Sequence, residues 1–354
     1  MRNRRWLAVL QALLASAMFG ATPPLAKMLL GEMHPLALAG FLYLGSGLGL
    51  LILHGITKLG IGISAESKLT RKDLPWLAGA IVAGGIAGPI ILMYSLQSTP
   101  AATASLLLNF EATATAVIAA LVFREAIGAR IWAAISCITL AVILLSLNPA
   151  GGWGFSIGAL GVIAACTLWG VDNNLTRNIS AKDPVMIVAW KGVSAGSFTL
   201  LITLALGVGF PALSSILRCM LLGALSIGLS LVLFILAMRN LGTARTTALF
   251  GSAPFMGAIL SWFIFHEALS GRFYIAATMM IVGVVLLVGE KHNHEHEHGW
   301  TEHEHRHRHD DSHHSHVPPD DDELTLAAHA HPHIHEPVRH SHPHTPDIDH
   351  RHTH

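Results

Sequence analysis

The chain has 354 residues, of which 52% are hydrophobic and 12% are charged, with 22 basic and 22 acidic side chains. Its mean hydropathy is +0.53. Soluble domains carry about 25% charged residues, so this composition excludes an ordinary soluble globular protein. The zero formal net charge gives no basis for a nucleic-acid partner. The first partner that the sequence predicts is therefore a lipid bilayer.

The part of the chain before residue 290 consists of apolar runs separated by short connections. Each run has about 20 residues, which is the length that a helix needs to cross a ~30 Å hydrocarbon core. The predicted spans are residues 6–30, 35–56, 74–95, 100–122, 130–147, 156–178, 184–207, 216–237, 243–265 and 271–289. The sequence thus predicts an all-α polytopic membrane protein with ten transmembrane helices.

Lysine and arginine are concentrated on alternate connections between these spans. If the N-terminus faces the cytoplasm, the N-terminal arginines and the charged connection 57–73 lie on the same, inner side. The connections 96–99 and 148–155 would lie on the outer side, and they contain no basic residue. Because short cytoplasmic connections are enriched in lysine and arginine, we predict a multi-pass protein of the cytoplasmic membrane with both termini in the cytoplasm.

An internal repeat divides the membrane region into two halves. The sequence Phe123-Arg-Glu-Ala matches Phe265-His-Glu-Ala 142 positions later. Five helices per half is an odd number, so the second half would enter the membrane upside down relative to the first. Inverted repeats of this kind allow a protein to open alternately to either side of the membrane. The predicted domains are residues 1–148 (spans one to five), 149–290 (spans six to ten) and a separate tail, 291–354.

The repeated positions resemble the EamA-type repeats of the drug/metabolite transporter superfamily. That family has an aromatic-Gly pair in the first helix of each half, a proline that opens the second helix and an aromatic-x-Glu that closes the fourth. The matching residues here are Phe19-Gly20 and Trp169-Gly170, Pro35 and Pro184, and Phe123-x-Glu125 and Phe265-x-Glu267. The resemblance covers about residues 6–289. It implies ten helices around a central cavity and secondary transport of small organic solutes.

Three ionisable residues, Glu111, Asp172 and Lys191, fall inside predicted spans. A charge within a bilayer costs several kcal/mol, so such residues are functional candidates. We predict a site at the middle of the membrane where Glu111 and Asp172 bind a cation or exchange protons. Lys191 would neutralise one of them or bind an anionic group of the substrate. Hydrogen bonding and cavity lining are predicted for Asn109, Asn173, Asn174 and Trp190.

The alternative for these three charges is structural. Asp172 and Lys191 would then form an ion pair and Glu111 would be neutral and hydrogen-bonded, all serving helix packing. Glu125 and Glu267 lie at short connections, where water is available, and we predict that they serve helix ends or loops.

The segment after residue 291 is rich in histidine. Of the 24 histidines in the chain, all but His34, His54 and His266 lie there, mostly at alternate positions. Imidazole suits Zn, Ni, Co and Cu, and neighbouring acidic residues add oxygen ligands. We predict a disordered tail that binds a divalent metal, similar to the histidine-rich segments of metal-cation transporters. The candidate ligands are His292, His294, His296, His298, His303, His305, His307, His309, His329, His331, His333 and His335.

Three functions stay open at this point. The first is a secondary transporter of a small metabolite or drug-like compound, coupled to protons through Glu111 or Asp172 and requiring no cofactor. The second is a transporter or exporter of a divalent metal, with the tail as collector or sensor. The third is a membrane sensor of metal or pH that transports nothing. No nucleophile–base constellation or phosphate-binding loop is present in the sequence, so an enzyme is not expected. The oligomeric state also stays open, and a homodimer is one of the alternatives.

Overall fold

The structure is a computed structural model of the chain. The residues that it describes are 2–60, 69–123, 128–147, 155–180, 182–241, 246, 249–288, 292–297, 301–307, 329–335 and 339–344. Glu125, His298 and His309, which the sequence singled out, lie outside these residues.

The described part of the membrane region is helical. The first half contains α1 (Arg2–Gly20), α2 (Thr22–Leu29), α3 (Pro35–Gly60), a short 3-10 helix (Arg71–Asp73), α4 (Leu74–Ala80), a first π-helix (Ile81–Ala87), α5 (Gly88–Ser98), α6 (Ala101–Leu107), α7 (Phe110–Val122) and α8 (Ala129–Ser146). The second half contains α9 (Ile157–Arg177), α10 (Pro184–Ala205), α11 (Leu213–Gly223), a second π-helix (Ala224–Leu229), α12 (Ser230–Leu241), α13 (Ala253–Phe265) and α14 (Gly271–Val288).

These helices account for the ten predicted spans. Seven helical segments are long and apolar enough to cross a membrane, and two shorter apolar helices, Ala253–Phe265 and Gly271–Leu287, follow near the end of the membrane region. The tenth is α9, which is long enough to span but carries Asp172 and two asparagines. Because hydrocarbon offers the backbone no water, these segments satisfy their own N–H and C=O groups by forming helices. The prediction of an all-α polytopic membrane fold is confirmed for this region.

The two halves contact each other in a reciprocal pattern. The third span of the second half (α11, the second π-helix and α12) packs on α1 and α3, and the third span of the first half (α4, the first π-helix and α5) packs on α9 and α10. The second spans, α3 and α10, pack together, and so do the fifth spans, α8 and α14. Exchanging the halves therefore preserves the contacts, as expected for inverted repeats related by a pseudo-two-fold axis.

Small residues allow the closest contact between the halves. A Cβ atom on Gly192 of α10 would lie 2.7 Å from the backbone nitrogen of Gly47 on α3, so a larger residue would push these helices apart. Close packing of small residues is the main source of helix association in a bilayer, where lipid is as apolar as leucine. The α3–α10 contact thus fixes the centre of the molecule around which the polar residues are arranged.

Four short strands lie in the tail: β1 (His292–Glu297), β2 (Thr301–His307), β3 (His329–His335) and β4 (Arg339–His344). β1 pairs antiparallel with β4, and β2 pairs antiparallel with β3. Their alternating composition has a period of two residues, which is the period of an extended strand.

Candidate functional site

A carbonyl group in the first π-helix holds three spans together. The Gly88 N–H is donated to the carbonyl oxygen of Ala83, and the following Pro89 has no N–H to donate. The Gly84 carbonyl is instead satisfied by side chains, accepting hydrogen bonds from Tyr43 Oη at 3.0 Å and Trp169 Nε1 at 2.9 Å. The irregular backbone of the third span is therefore tied to α3 and α9 at the middle of the membrane.

An ion pair joins α9 to α10 next to this carbonyl group. Lys191 Nζ lies 2.5 Å from Oδ1 and 2.6 Å from Oδ2 of Asp172, and Thr176 Oγ1 donates to Asp172 Oδ1 at 2.9 Å. Both side chains are buried, with 14% of Lys191 and 8% of Asp172 exposed. Gly84 faces the carboxylate so closely that any Cβ there would overlap it. The pair is thus enclosed, and its two charges neutralise each other.

Glu111 lies in the first turn of α7, after a two-residue break in the fourth span. Asn173 Nδ2 donates to Glu111 Oε1 at 2.9 Å and lies 3.1 Å from Thr115 Oγ1. The Thr115 hydroxyl in turn donates to the Glu111 carbonyl oxygen at 2.8 Å. These partners are neutral, so an ionised Glu111 has no counter-ion among the described residues that bond to it.

The side chains of these three residues line a common cavity of about 340 Å³ between the two halves. Its wall is mostly apolar and includes Phe19, Tyr43, Met93, Trp169, Phe234 and Phe250. Phe250 contacts two other rings, with centroid distances of 5.4 Å to Phe19 and 4.9 Å to Phe234. The cavity therefore combines an aromatic wall with a small number of polar groups, which is the usual composition of a small-molecule site.

A second cavity, of about 540 Å³, also has Glu111 in its wall and runs along the fourth span from Ser105 to Ala119. It shares Phe19, Glu111 and Asn173 with the first cavity and extends along Ala119 and Leu287. Both of these residues lie near the ends of spans that finish on the side where α1 begins. A third cavity, of about 640 Å³, opens on the opposite side and shares no lining residue with the other two. Glu111 thus borders both of the connected cavities.

Polar contacts within and between the halves lie around the third cavity. The Glu267 carboxylate accepts hydrogen bonds from the backbone N–H groups of Ala101 at 2.7 Å and Ala102 at 2.9 Å. It therefore caps the beginning of α6, where helix N–H groups are unpaired and negative charge is favoured. Lys27 donates to the carbonyl oxygen of Thr99 in the same connection. The predicted helix-end role of Glu267 agrees with this geometry.

An exposed ion pair also links the halves on that side. Arg218 contacts both carboxylate oxygens of Glu32, at 3.0 and 2.6 Å, and Ser215 Oγ donates to Glu32 Oε2 at 2.5 Å. The Ser215 hydrogen bond, together with the Arg218 guanidinium, holds the pKa of the Glu32 carboxyl below its ordinary value. Glu32 lies in the connection before α3, outside the membrane spans.

The other predicted site residues have different positions. Asn109 lines the second cavity, with Nδ2 donating to the Leu106 carbonyl oxygen at 3.0 Å. Asn174 is buried and donates to the Gly170 and Thr115 carbonyl oxygens, so it ties α9 to α7. Trp190 is 47% exposed and lines none of the three cavities. One helical step of about 100° separates it from Lys191, which lines the first cavity.

Several site residues were not predicted from the sequence. Gly84, Tyr43 and Thr115 make the hydrogen bonds described above, and Ser46 lines the first cavity with a buried hydroxyl that has no hydrogen-bond partner among the described residues. The glycine pair at 84–85 followed by Pro89 was a usable signal for a distorted span. Tyr43 and Ser46 gave no comparable signal, because hydroxyl residues are common in membrane helices.

The fold and the site together define a polytopic membrane transporter with two inverted halves around a central cavity. Two segments of the chain, residues 6–147 and 156–289, each match the model of the EamA-like transporter family. The chain belongs to this family. Its resemblance to EamA repeats, inferred from the repeated residues, is thereby confirmed.

One curated protein and one solved structure are similar to this chain. An "Uncharacterized transporter" of Methanothermobacter thermautotrophicus is 28% identical over 300 residues, which cover 80% of this chain and 87% of that protein. A solved crystal structure superposes on this chain with a TM-score of 0.57 at 20% sequence identity. The alignment covers 79% of this chain and 96% of the chain in that structure. The crystal structure supports the fold alone.

Proposed function

We propose that the protein is a secondary transporter, not an enzyme, that moves a small organic solute by alternating access. The observation that carries this proposal is the central cavity, which lies between two reciprocal halves and contains the three intramembrane charges. In inverted-repeat transporters the site lies at the repeat interface near the middle of the bilayer. We place the protein in the cytoplasmic membrane with both termini inside, following the distribution of lysine and arginine.

Glu111 is the residue that we propose for proton coupling. Asp172 already has a cation, Lys191, on both oxygens, whereas Glu111 has only neutral partners among the described residues. An unpaired charge within the membrane costs several kcal/mol, so an empty cavity favours a protonated Glu111. The second cavity, which extends to Ala119 near the end of the fourth span, also borders this carboxyl. The Asp172–Lys191 pair then serves as a fixed polar wall of the site.

The test is a flux measurement in proteoliposomes with a pH gradient. Vesicles are loaded with a defined mixture of amino acids, amines, nucleosides and organic acids, and mass spectrometry identifies what leaves. We expect at least one solute whose efflux requires wild-type protein and falls roughly tenfold or more in Glu111→Gln, because charged hydrogen bonds contribute about 1.5–3 kcal/mol. Asp73→Asn, which removes an exposed carboxylate outside the cavities and away from the contacts between the halves, is the matched control. Equal efflux of every solute from wild type and Glu111→Gln would refute the proposal.

The second candidate function is the binding of a divalent metal by the histidine-rich tail. The register of the strands supports it: His294 is opposite His342 and His296 is opposite His340 in one pair, and His305 is opposite His331 in the other. Within the described helices, no group of three metal-ligating side chains lies close enough to hold an ion. We therefore propose the tail as a collector or sensor of metal.

A truncation separates these roles. Full-length protein, residues 1–291 and Glu111→Gln are compared for cellular Ni, Co and Zn content and for solute flux. If the truncation alone changes metal content while solute flux is unchanged, the tail is a metal-binding segment beside an independent transporter. If metal content depends on Glu111, the metal is the transported substrate. Loss of both activities on truncation would favour a sensor whose active part is the tail.

A further inference from the structure

The charges that line the two connected cavities do not cancel. Lys191 is the only basic residue among the described residues that line them, and its Nζ lies between the two oxygens of Asp172. Glu111 bonds to Asn173, a neutral amide. With Glu111 ionised, the connected cavities hold one negative charge without a counter-ion, and Coulomb attraction is strong in such a low-dielectric site. A ligand with one positive charge would restore neutrality.

The imbalance arises because only one half carries each charged residue. In the repeat alignment the position of Glu111 is Ala253 in the second half, and the position of Lys191 is Leu42 in the first. The position of Asp172 is Thr22 in the first half, a neutral residue that lines the cavity. The pseudo-symmetry of the fold therefore does not duplicate the site. It leaves one uncompensated carboxylate, and so it favours a monocation over a dication.

The hydrogen-bond groups of the cavity point to the same ligand charge. The donors that an anion would need are already used, since Tyr43 and Trp169 both donate to the Gly84 carbonyl oxygen and Lys191 is held by Asp172. An anionic ligand would have to break the ion pair, whereas a cationic ligand finds the Glu111 carboxylate, whose hydrogen-bond partner Asn173 is neutral.

The rest of the wall fits an apolar body next to that charge. Phe19, Phe234 and Phe250 form a ring cluster on the cavity wall. Aromatic faces attract ammonium groups and also pack on apolar surface. The cavity volume of about 340 Å³ lies at the lower end of the ~300–1,000 Å³ range of ligand pockets, so the ligand is small.

We infer that the transported solute is a small organic monocation, an amine or ammonium compound with an apolar body, whose charge takes the place of a proton on Glu111. This inference rests on the proposed transport function and names its substrate class. One carboxyl then holds either the proton or the solute cation, so the solute and the proton compete for it.

The inference is tested with three probes of matched shape and different charge: 3-phenylpropylamine, 3-phenylpropan-1-ol and 3-phenylpropionate. Binding is measured by calorimetry on the full chain in lipid nanodiscs. We expect the amine to bind at least about tenfold more tightly than the alcohol or the acid. That preference should vanish in Glu111→Gln, persist in Asp73→Asn and survive in weakened form in Glu111→Asp. A melting profile confirms that each variant is folded. If Glu111→Gln does not fold, Glu111→Asp still tests the inference.

The remaining outcomes separate the substrate class from the function. The inference is overturned if the alcohol or the acid binds as tightly as the amine, if none of the three binds at millimolar concentration, or if amine binding does not depend on the charge at position 111. A Glu111-dependent flux of a neutral or anionic solute would leave the transport function standing and refute only the cationic substrate. An absence of any solute flux that requires the protein would refute the function itself.

Discussion

Removing Lys191 tests whether the buried ion pair is as enclosed as the geometry indicates. Lys191→Met keeps the apolar stem of the side chain and removes its charge, which leaves Asp172 with Thr176 Oγ1 as its remaining described partner. Only 8% of the Asp172 side chain is exposed, so water can replace the lost cation only in part. Removing one partner of a buried pair costs about 3–5 kcal/mol. We therefore expect the free energy of unfolding of Lys191→Met to fall by that amount.

The double variant Lys191→Met with Asp172→Asn provides the decisive comparison. Because it removes both charges, no ion is left buried alone, and it should recover most of the stability lost in the single variant. The assay is reversible unfolding by sodium dodecyl sulfate in mixed micelles, followed by tryptophan fluorescence and circular dichroism. The reasoning is refuted if Lys191→Met loses less than about 1 kcal/mol, or if the double variant is as unstable as Lys191→Met.

Three further predictions concern single residues. Gly84→Ala would place a methyl group on the carboxylate of the ion pair, so proteoliposome flux should fall roughly tenfold or more, whereas Gly55→Ala, whose methyl group meets open space, should transport normally. Glu267→Gln removes the charge that caps α6 and should lower the free energy of unfolding by about 0.5–2 kcal/mol; an unchanged value would mean that this cap contributes nothing. Because the pKa of Glu32 is lowered, its link to Arg218 stabilises the fold above about pH 4 and is lost as the pH falls through the folded-state pKa. The Tm of the wild type should therefore drop further between about pH 7 and about pH 3 than that of Glu32→Gln, and equal drops would refute the link.

The membrane fold could be predicted because its rules are local. A run of apolar residues in hydrocarbon has to form a helix, so the ten segments followed from composition and length. The spacing between Phe123-x-Glu125 and Phe265-x-Glu267 predicted the repeat, and the residues of both family segments agree with it. The irregular parts of the spans were not predicted, because a π-helix such as Ile81–Ala87 depends on which carbonyl groups find side-chain partners on other spans.

The candidate site was predicted only in part. Glu111, Asp172 and Lys191 were recognised because charges are rare in apolar segments, and the structure brings all three to one cavity. Which of them pair was left open, since residues 111, 172 and 191 lie on three different helices. Trp190 was predicted as a site residue because it is next to Lys191 in the sequence. Adjacent residues on a helix face in different directions, and Trp190 lines none of the three cavities described above.

By itself, the sequence determined that this chain crosses a membrane ten times in two related halves and that three charges are buried there. Hydrophobic length, repeat spacing and the cost of intramembrane charge are properties of the chain, so no contacts were needed to infer them. Only the tertiary structure decided that Lys191 neutralises Asp172 and not Glu111, and that the Gly84 carbonyl binds Tyr43 and Trp169. The physical reason is that pairing depends on how α7, α9 and α10 are rotated and packed against one another. That packing leaves Glu111 as the carboxylate without a counter-ion among the described residues of the cavity.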